Sequence, residues 1–314
     1  MSSSPACFAA LTPARAALRA PTPLEWTALG ALAIPLWALW PSLAIRTAAV
    51  PPLESLTLMF ACGLLSFSAL HALVPENPAP PAKPWRAWLP ALVYAAALSG
   101  GDLCFLLATH RLPPAQANLL SYLWPVMIVV MGAAVGLFRL GLRQLAGLAL
   151  GFSGALILFW DGHLTLSFSG IALALLSGAL WAAYCVFRLL WQEPVGNLLA
   201  RGCGISVLLC AALHFVFEPT VLPDARAVTA MAISGFVALG LGNFLWDQGF
   251  RRGDSHLLAV MAYATPLCSA LLLALLGAAI LTWNLLLGAL VIVAAGLLSR
   301  TAATAAAEEP GAPG

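Results

Sequence analysis

Ten apolar stretches, each about 20 residues long and bounded by Pro, Gly or charge, run through this chain. They lie near 25–45, 53–74, 86–109, 114–137, 141–160, 168–190, 197–217, 226–250, 255–278 and 281–300. A stretch of that length crosses the hydrocarbon of a bilayer as an α-helix, because every backbone N–H and C=O is then bonded inside the segment. The pattern predicts an all-α integral membrane protein with ten transmembrane helices. Composition agrees: 62% of the 314 residues are hydrophobic and 8% charged, against about a quarter charged in a soluble domain. The connections are too short for a soluble domain, and the one long polar linker is Pro75 to Pro84, PENPAPPAKP.

The basic residues set the expected orientation. Eleven of the 14, among them Lys83, Arg86, Arg139, Arg143, Arg188, Arg201, Arg251 and Arg252, fall on one side, against Arg46, Arg111 and Arg226 on the other. The positive-inside rule then makes residues 1–22 and 301–314 cytoplasmic tails, and an even number of spans requires the same arrangement. The first 22 residues lack a compact apolar stretch before a small-residue cleavage site, so they read as a retained tail and not a signal peptide. A net charge of +2, with no run of five Lys or Arg, argues against a nucleic-acid partner. The seven cysteines form no CxxC pair and read as small core residues, not a zinc site or disulfide framework. GxxxxGK[ST], HExxH, GxSxG and GxGxxG are all missing, so no cofactor or metal is expected and the chain does not read as an enzyme.

The chain also repeats itself. A shift of 141 residues superposes Gly101 on Gly242, Arg111 on Arg252, Tyr122 on Tyr263, Pro125 on Pro266, Gly136 on Gly277 and Gly147 on Gly288. Leu36-Trp37-Ala38 matches Leu180-Trp181-Ala182 at a shift of 144. Residues 23–160 and 161–300 are therefore read as two five-helix repeats. Five is odd, so the second copy sits upside down. Inverted repeats with broken helices at matching positions are the mark of secondary transporters, whose substrate site lies near the midplane between the halves.

Candidate site residues follow from polar and aromatic groups at membrane depth. Asn118, Tyr122, Trp124 and Pro125 share the fourth span, and Tyr263 and Pro266 are their counterparts in the ninth. A proline inside a helix frees a carbonyl, here those of Ser121 and Ala262, which must then face protein, water or a ligand. Trp37 and Trp40, and Trp181 and Tyr184, stand three apart on corresponding helices, and with Trp246 they would complete an aromatic wall able to hold a ring or an amine. Asn118 and Asn243, with the freed carbonyls, are candidates for the polar end of a substrate. Ionisable groups in the spans are few: Asp102, Arg201, His214, Asp247 and Glu25. Asp247 precedes Arg251 by one turn and is expected to pair with it, Arg201 and His214 are expected to reach the interfaces, and Asp102 is read as either a satisfied core acid or a cavity or proton-coupling group. Gly132/Gly136 and Gly147/Gly151 have the small-xxx-small spacing of close helix packing, within the bundle or across a homodimer.

With two inverted five-helix repeats, Tyr122-Leu123-Trp124-Pro125, Trp181-Ala182-Ala183-Tyr184-Cys185 and Tyr263 followed by Thr265-Pro266, the chain resembles the drug/metabolite transporter (EamA-type) superfamily, and within it the bacterial aromatic amino acid exporters. The resemblance implies a bacterial inner-membrane carrier for aromatic and other neutral amino acids, with a central cavity lined by the first, third, fourth, sixth, eighth and ninth helices. It would put Trp124 and Trp181 in the aromatic walls, with Tyr122 as a polar neighbour. The longer N-terminal tail and Asp102 depart from the pattern. The expected function is alternating-access export driven by the substrate gradient. A proton-coupled transporter of the same fold for another metabolite or drug is the alternative, and a membrane-embedded enzyme using Asp102 and Asp247 a weaker one.

Overall fold

The protein is described from a computed structural model, which covers residues 21–73, 84–137, 141–159, 166–191, 198–275 and several positions between 283 and 298. Every described element is helical, with no strand among the described residues. In chain order the helices are α1 (Pro23–Ala31), α2 (Ala33–Trp37), α3 (Trp40–Ala44), α4 (Pro52–Leu73), α5 (Pro84–Ala95), α6 (Gly101–Thr109), α7 (Pro114–Ser121), α8 (Trp124–Ala134), α9 (Leu142–Phe159), α10 (Phe168–Leu190), α11 (Leu198–Phe217), α12 (Ala225–Ile233), α13 (Asn243–Arg252), α14 (Ser255–Met261) and α15 (Ala264–Leu275). Five continuous helical stretches are long and apolar enough to cross a bilayer: Pro52–Leu73, Trp88–Thr109, Phe168–Leu190, Leu198–Phe217 and Ala225–Arg252. Shorter apolar helices cover Trp124–Ala134 and Leu145–Ile157. Residues 1–20 of the expected tail 1–22, the expected tail 301–314, residues 75–83 of the linker Pro75–Pro84 and the partner glycine Gly277 lie outside the described residues.

The helix starts follow ordinary capping chemistry. Thr22 and Glu25 form a reciprocal capping box at α1, with Pro23 at the first helical position. Glu25 is thus an exposed cap and not an intramembrane charge. Asp224 caps α12 through the Ala227 N–H at 2.7 Å, and Asp254 caps α14 through the Leu257 N–H at 2.9 Å.

The irregularities fall at matching places along the chain. A π-helical segment, Ala96–Gly100, joins α5 to α6, and a second, Ser234–Gly242, joins α12 to α13. The shift of 141 carries 96–100 onto 237–241, inside the second segment. The interruption between α7 and α8 at Tyr122 and Leu123 likewise falls, after the same shift, on Tyr263 and Ala264, at the start of α15. Each proline lies within the first turn of the helix that follows its break. There it loses no intrahelical bond, which is why the break precedes it.

Two glycine positions show how the bundle closes. Gly30 of α1 and Gly249 of α13 put their backbones in direct contact: a Cβ on Gly249 would lie 2.4 Å from the Gly30 Cα. Gly136 has φ +78° with open space around it, and ends α8 where the Leu137 N–H returns to the Gly132 carbonyl at 2.8 Å. Within the chain Gly136 therefore serves as a C-terminal cap, while Gly132 is buried. Gly151 does pack within the chain, since a Cβ there would meet the Tyr263 ring at 2.6 Å.

Candidate substrate site

Four tryptophans from four helices meet at one place. Trp37 of α2 is their hub, with ring centroids 6.5 Å from Trp124 of α8, 6.2 Å from Trp181 of α10 and 5.1 Å from Trp246 of α13. Trp124 and Trp246 close the circuit at 5.5 Å. The contacts with Trp124 and Trp181 are edge-to-face, at 81° and 80°, the geometry that sets a ring edge against a neighbour's π-face. Each such contact contributes about 0.5–1.5 kcal/mol beyond burial. Tyr184 extends the wall from Trp181 at 5.3 Å. Trp37 sits in a helix of five residues between interruptions at Leu32 and Ala38, and Gly242 gives it room: a Cβ there would come within 2.9 Å of the indole nitrogen.

A hydrogen-bonded strut fixes the Trp37 ring. Its Nε1–H donates to Asn243 Oδ1 at 2.9 Å, and Asn243 Nδ2 donates to the Tyr94 hydroxyl at 3.0 Å. An indole N–H only donates, so the amide must turn its oxygen to Trp37 and its nitrogen to Tyr94. Asn243 is buried, and both ends of its side chain are engaged within the protein.

Below the strut, Tyr94 meets Tyr184 at 4.9 Å, and the Tyr184 hydroxyl donates to Asp247 Oδ1 at 3.0 Å. The Arg188 guanidinium grips both Asp247 oxygens, at 2.7 and 3.2 Å, and Arg251 Nε reaches Oδ2 at 3.0 Å. The expected Asp247–Arg251 pair is therefore present, within a larger cluster that ties α10 to α13. Arg188, expected only to mark topology, is 4% exposed and holds a buried carboxylate. Its signal was the four-residue spacing of Tyr184 and Arg188 on one helix and of Asn243, Asp247 and Arg251 on another, which aligns each set on one face. Tyr94 carries no comparable sequence signal.

A second buried cluster joins α4 to the end of α11. Glu218 accepts the Leu53 and Glu54 N–H groups at the start of α4, and His214 Nδ1 lies 3.0 Å from it. His214 Nε2 lies 3.1 Å from Thr220 and 3.8 Å from Glu54. At 4% exposure, His214 is enclosed by these partners in the last turn of α11. Its acid neighbours come from distant sequence, so only packing assembles them. Arg201 lies 5.7 Å over the Trp88 ring.

The remaining predicted residues divide. Trp40 is half-buried against the same core as the tryptophans. Asn118 and Tyr122 lie half-buried at the α7–α8 break. Tyr263 packs instead in a separate core with Val129, Leu148, Val260 and Ile292. The Ala262 carbonyl accepts the Thr265 N–H at 3.0 Å, so the break preceding Pro266 satisfies the group expected to be free. The Ser121 carbonyl lies against Gly178, where a Cβ would approach it to 2.5 Å. Asp102 begins α6, half-buried, one residue past Gly101.

Two segments, 24–160 and 168–301, match the EamA-like transporter family. The chain is 30% identical over 264 residues to the aromatic amino acid exporter YddG of Ancylobacter novellus, covering 80% of this chain and 88% of that protein. It is 28% identical over 208 residues to YddG of Escherichia coli, covering 61% and 68%. A probable amino-acid metabolite efflux pump of Salmonella typhimurium is 26% identical over 220 residues, 65% and 73% of the two chains. A solved crystal structure superposes with a TM-score of 0.82 at 28% identity, spanning 90% of this chain and 99% of that one.

Proposed function

Because the chain belongs to the EamA-like transporter family, we propose that it exports aromatic and other neutral amino acids across a bacterial inner membrane by alternating access. In this reading it has ten spans in two inverted repeats with both termini cytoplasmic. The double family match, the matching π-helical segments and the matching breaks support the repeats. The midplane site is the one walled by Trp37, Trp124, Trp181 and Trp246.

The observation that carries the reading is that tryptophan cluster, which gathers rings from both halves of the chain at one place. Aromatic belts stand at the interfaces, whereas Trp37 and Trp181 lie well over ten residues into their spans. A neutral zwitterion with an apolar or aromatic side chain suits this lining better than an anion, because the nearby cations Arg188 and Arg251 are already paired with Asp247. A substrate gradient is enough to drive such a carrier.

Counterflow in liposomes tests the proposal: the reconstituted protein should exchange Phe, Trp, Met and Thr without an imposed pH gradient. Failure to move any of them would sink the substrate assignment. Trp124→Ala and Trp181→Ala should each raise the half-saturating Phe concentration about tenfold, the loss of one aromatic contact in a desolvated site. Unchanged transport in both would dismiss the cluster as the site.

A further inference from the structure

Resting on that functional reading, we infer that the Asp102 carboxylate is the receptor for the substrate's ammonium group and sets the requirement for an α-amino group. Three of the acceptors near the tryptophans are already engaged. Asn243 Oδ1 already accepts from Trp37, the Ala262 carbonyl from Thr265, and Asp247 from Tyr184, Arg188 and Arg251. Glu54 and Glu218 belong to the His214 cluster at the helix ends. Among the described residues, Asp102 makes no hydrogen bond and no ion pair. It lies seven residues inside the Trp88–Thr109 span, about 10 Å from its end. A carboxylate left unmatched at that depth is costly, and a bound ammonium compensates it.

Its position in the fold points the same way. The shift of 141 carries Asp102 onto Asn243, and each directly follows a glycine: Gly242 closes its π-helical segment, and Gly101 opens α6 immediately after the segment that ends at Gly100. Such segments recur at functional sites. Asn243 stands beside α2 and holds Trp37. The counterpart of Trp37 is Trp181 on α10, and α10 packs onto the residues before Asp102: a Cβ on Gly101 would lie 3.5 Å from the Ser177 carbonyl, and one on Gly100 would lie 3.4 Å from Leu180. Asp102 thus occupies, beside the helix of Trp181, the place Asn243 occupies beside the helix of Trp37. One repeat position carries the amide that orients a ring, and its mate carries the charge for the amine.

The test is Phe counterflow by wild type, Asp102→Asn and Asp102→Glu, with 2-phenylethylamine (ring and ammonium) and 3-phenylpropionate (ring and carboxylate) as competitors. Asp102→Asn should raise the half-saturating Phe concentration about thirtyfold, as when a buried charge pair loses one partner. It should weaken 2-phenylethylamine by a similar factor, leave 3-phenylpropionate at least as effective, and be partly rescued by Asp102→Glu. Equal Phe affinity in wild type and Asp102→Asn would overturn the inference. So would equal weakening of both competitors, which is damage to the whole site, or an effect confined to transport driven by a pH gradient, which makes Asp102 a proton carrier. If wild type moves no neutral amino acid, the functional reading itself falls and this inference with it.

Discussion

Replacing Asp247 should be among the most damaging single changes in the membrane-embedded core. Asp247 is 4% exposed and is shared by two guanidinium groups and a hydroxyl. Asp247→Asn keeps the size but leaves Arg188, with its side chain 5% exposed, holding a charge in a low-dielectric core. Breaking a buried pair from one side costs about 3–5 kcal/mol. Arg251, with 14% of its side chain exposed, can turn toward solvent and contributes less to that loss. Tyr184→Phe removes one hydrogen bond to a charged group, worth about 1.5–3 kcal/mol. Arg188→Met leaves Asp247 with Arg251 and Tyr184, so its effect should fall between the two. The double change Arg188→Met with Asp247→Leu removes the stranded charge and should recover at least half of the Asp247→Asn loss. At about 2–4 °C per kcal/mol, thermal unfolding in detergent should drop by about 10 °C for Asp247→Asn. A drop under about 3 °C, or a double variant worse than Asp247→Asn, would refute the claim that this cluster is a charge-balanced tie between α10 and α13.

Three further changes probe other contacts. Gly249→Ala puts a Cβ 2.4 Å from the Gly30 Cα and 2.7 Å from the Trp26 carbonyl, forcing α1 off α13. It should lose about 3 kcal/mol of stability, read by thermal unfolding, and a neutral result would mean that the helices separate freely there. Tyr94→Phe leaves the buried Asn243 Nδ2 without its acceptor, at a cost of about 1–3 kcal/mol. Because Asn243 orients Trp37, the near-ultraviolet circular dichroism of the tryptophans should change as well, and an unaltered spectrum would count against the strut. Gly136→Ala should cost about 1 kcal/mol from its backbone conformation alone, because open space surrounds it, and Gly136→Asn should cost less. Equal costs for the two would assign the effect to something other than the left-handed turn.

What was legible in the chain had a local physical cause. Twenty apolar residues in a row dictate a spanning helix whatever surrounds them, and prolines and capping acids fix helix starts within a few residues. The described helices therefore track the expected stretches, and the family followed from motifs spaced along them. Four of the predicted aromatics, Trp37, Trp124, Trp181 and Trp246, do meet, and of these Trp37 and Trp181 stand at corresponding positions along the chain.

The sequence by itself determined the apolar helical stretches and the Asp247–Arg251 pair, since those depend on hydropathy and on spacing along one helix. Only the tertiary structure decided which way each side chain faces across helices. It sent Tyr263 to another core, turned Asn243 into a strut between Trp37 and Tyr94, buried His214 between two glutamates, and made Arg188 the partner of an acid 59 residues away. Rotation of a helix about its axis leaves its hydropathy and depth unchanged while moving a side chain from one neighbour to the next. That angle is set by packing against the other helices, and a one-dimensional pattern in a uniformly apolar span does not encode it.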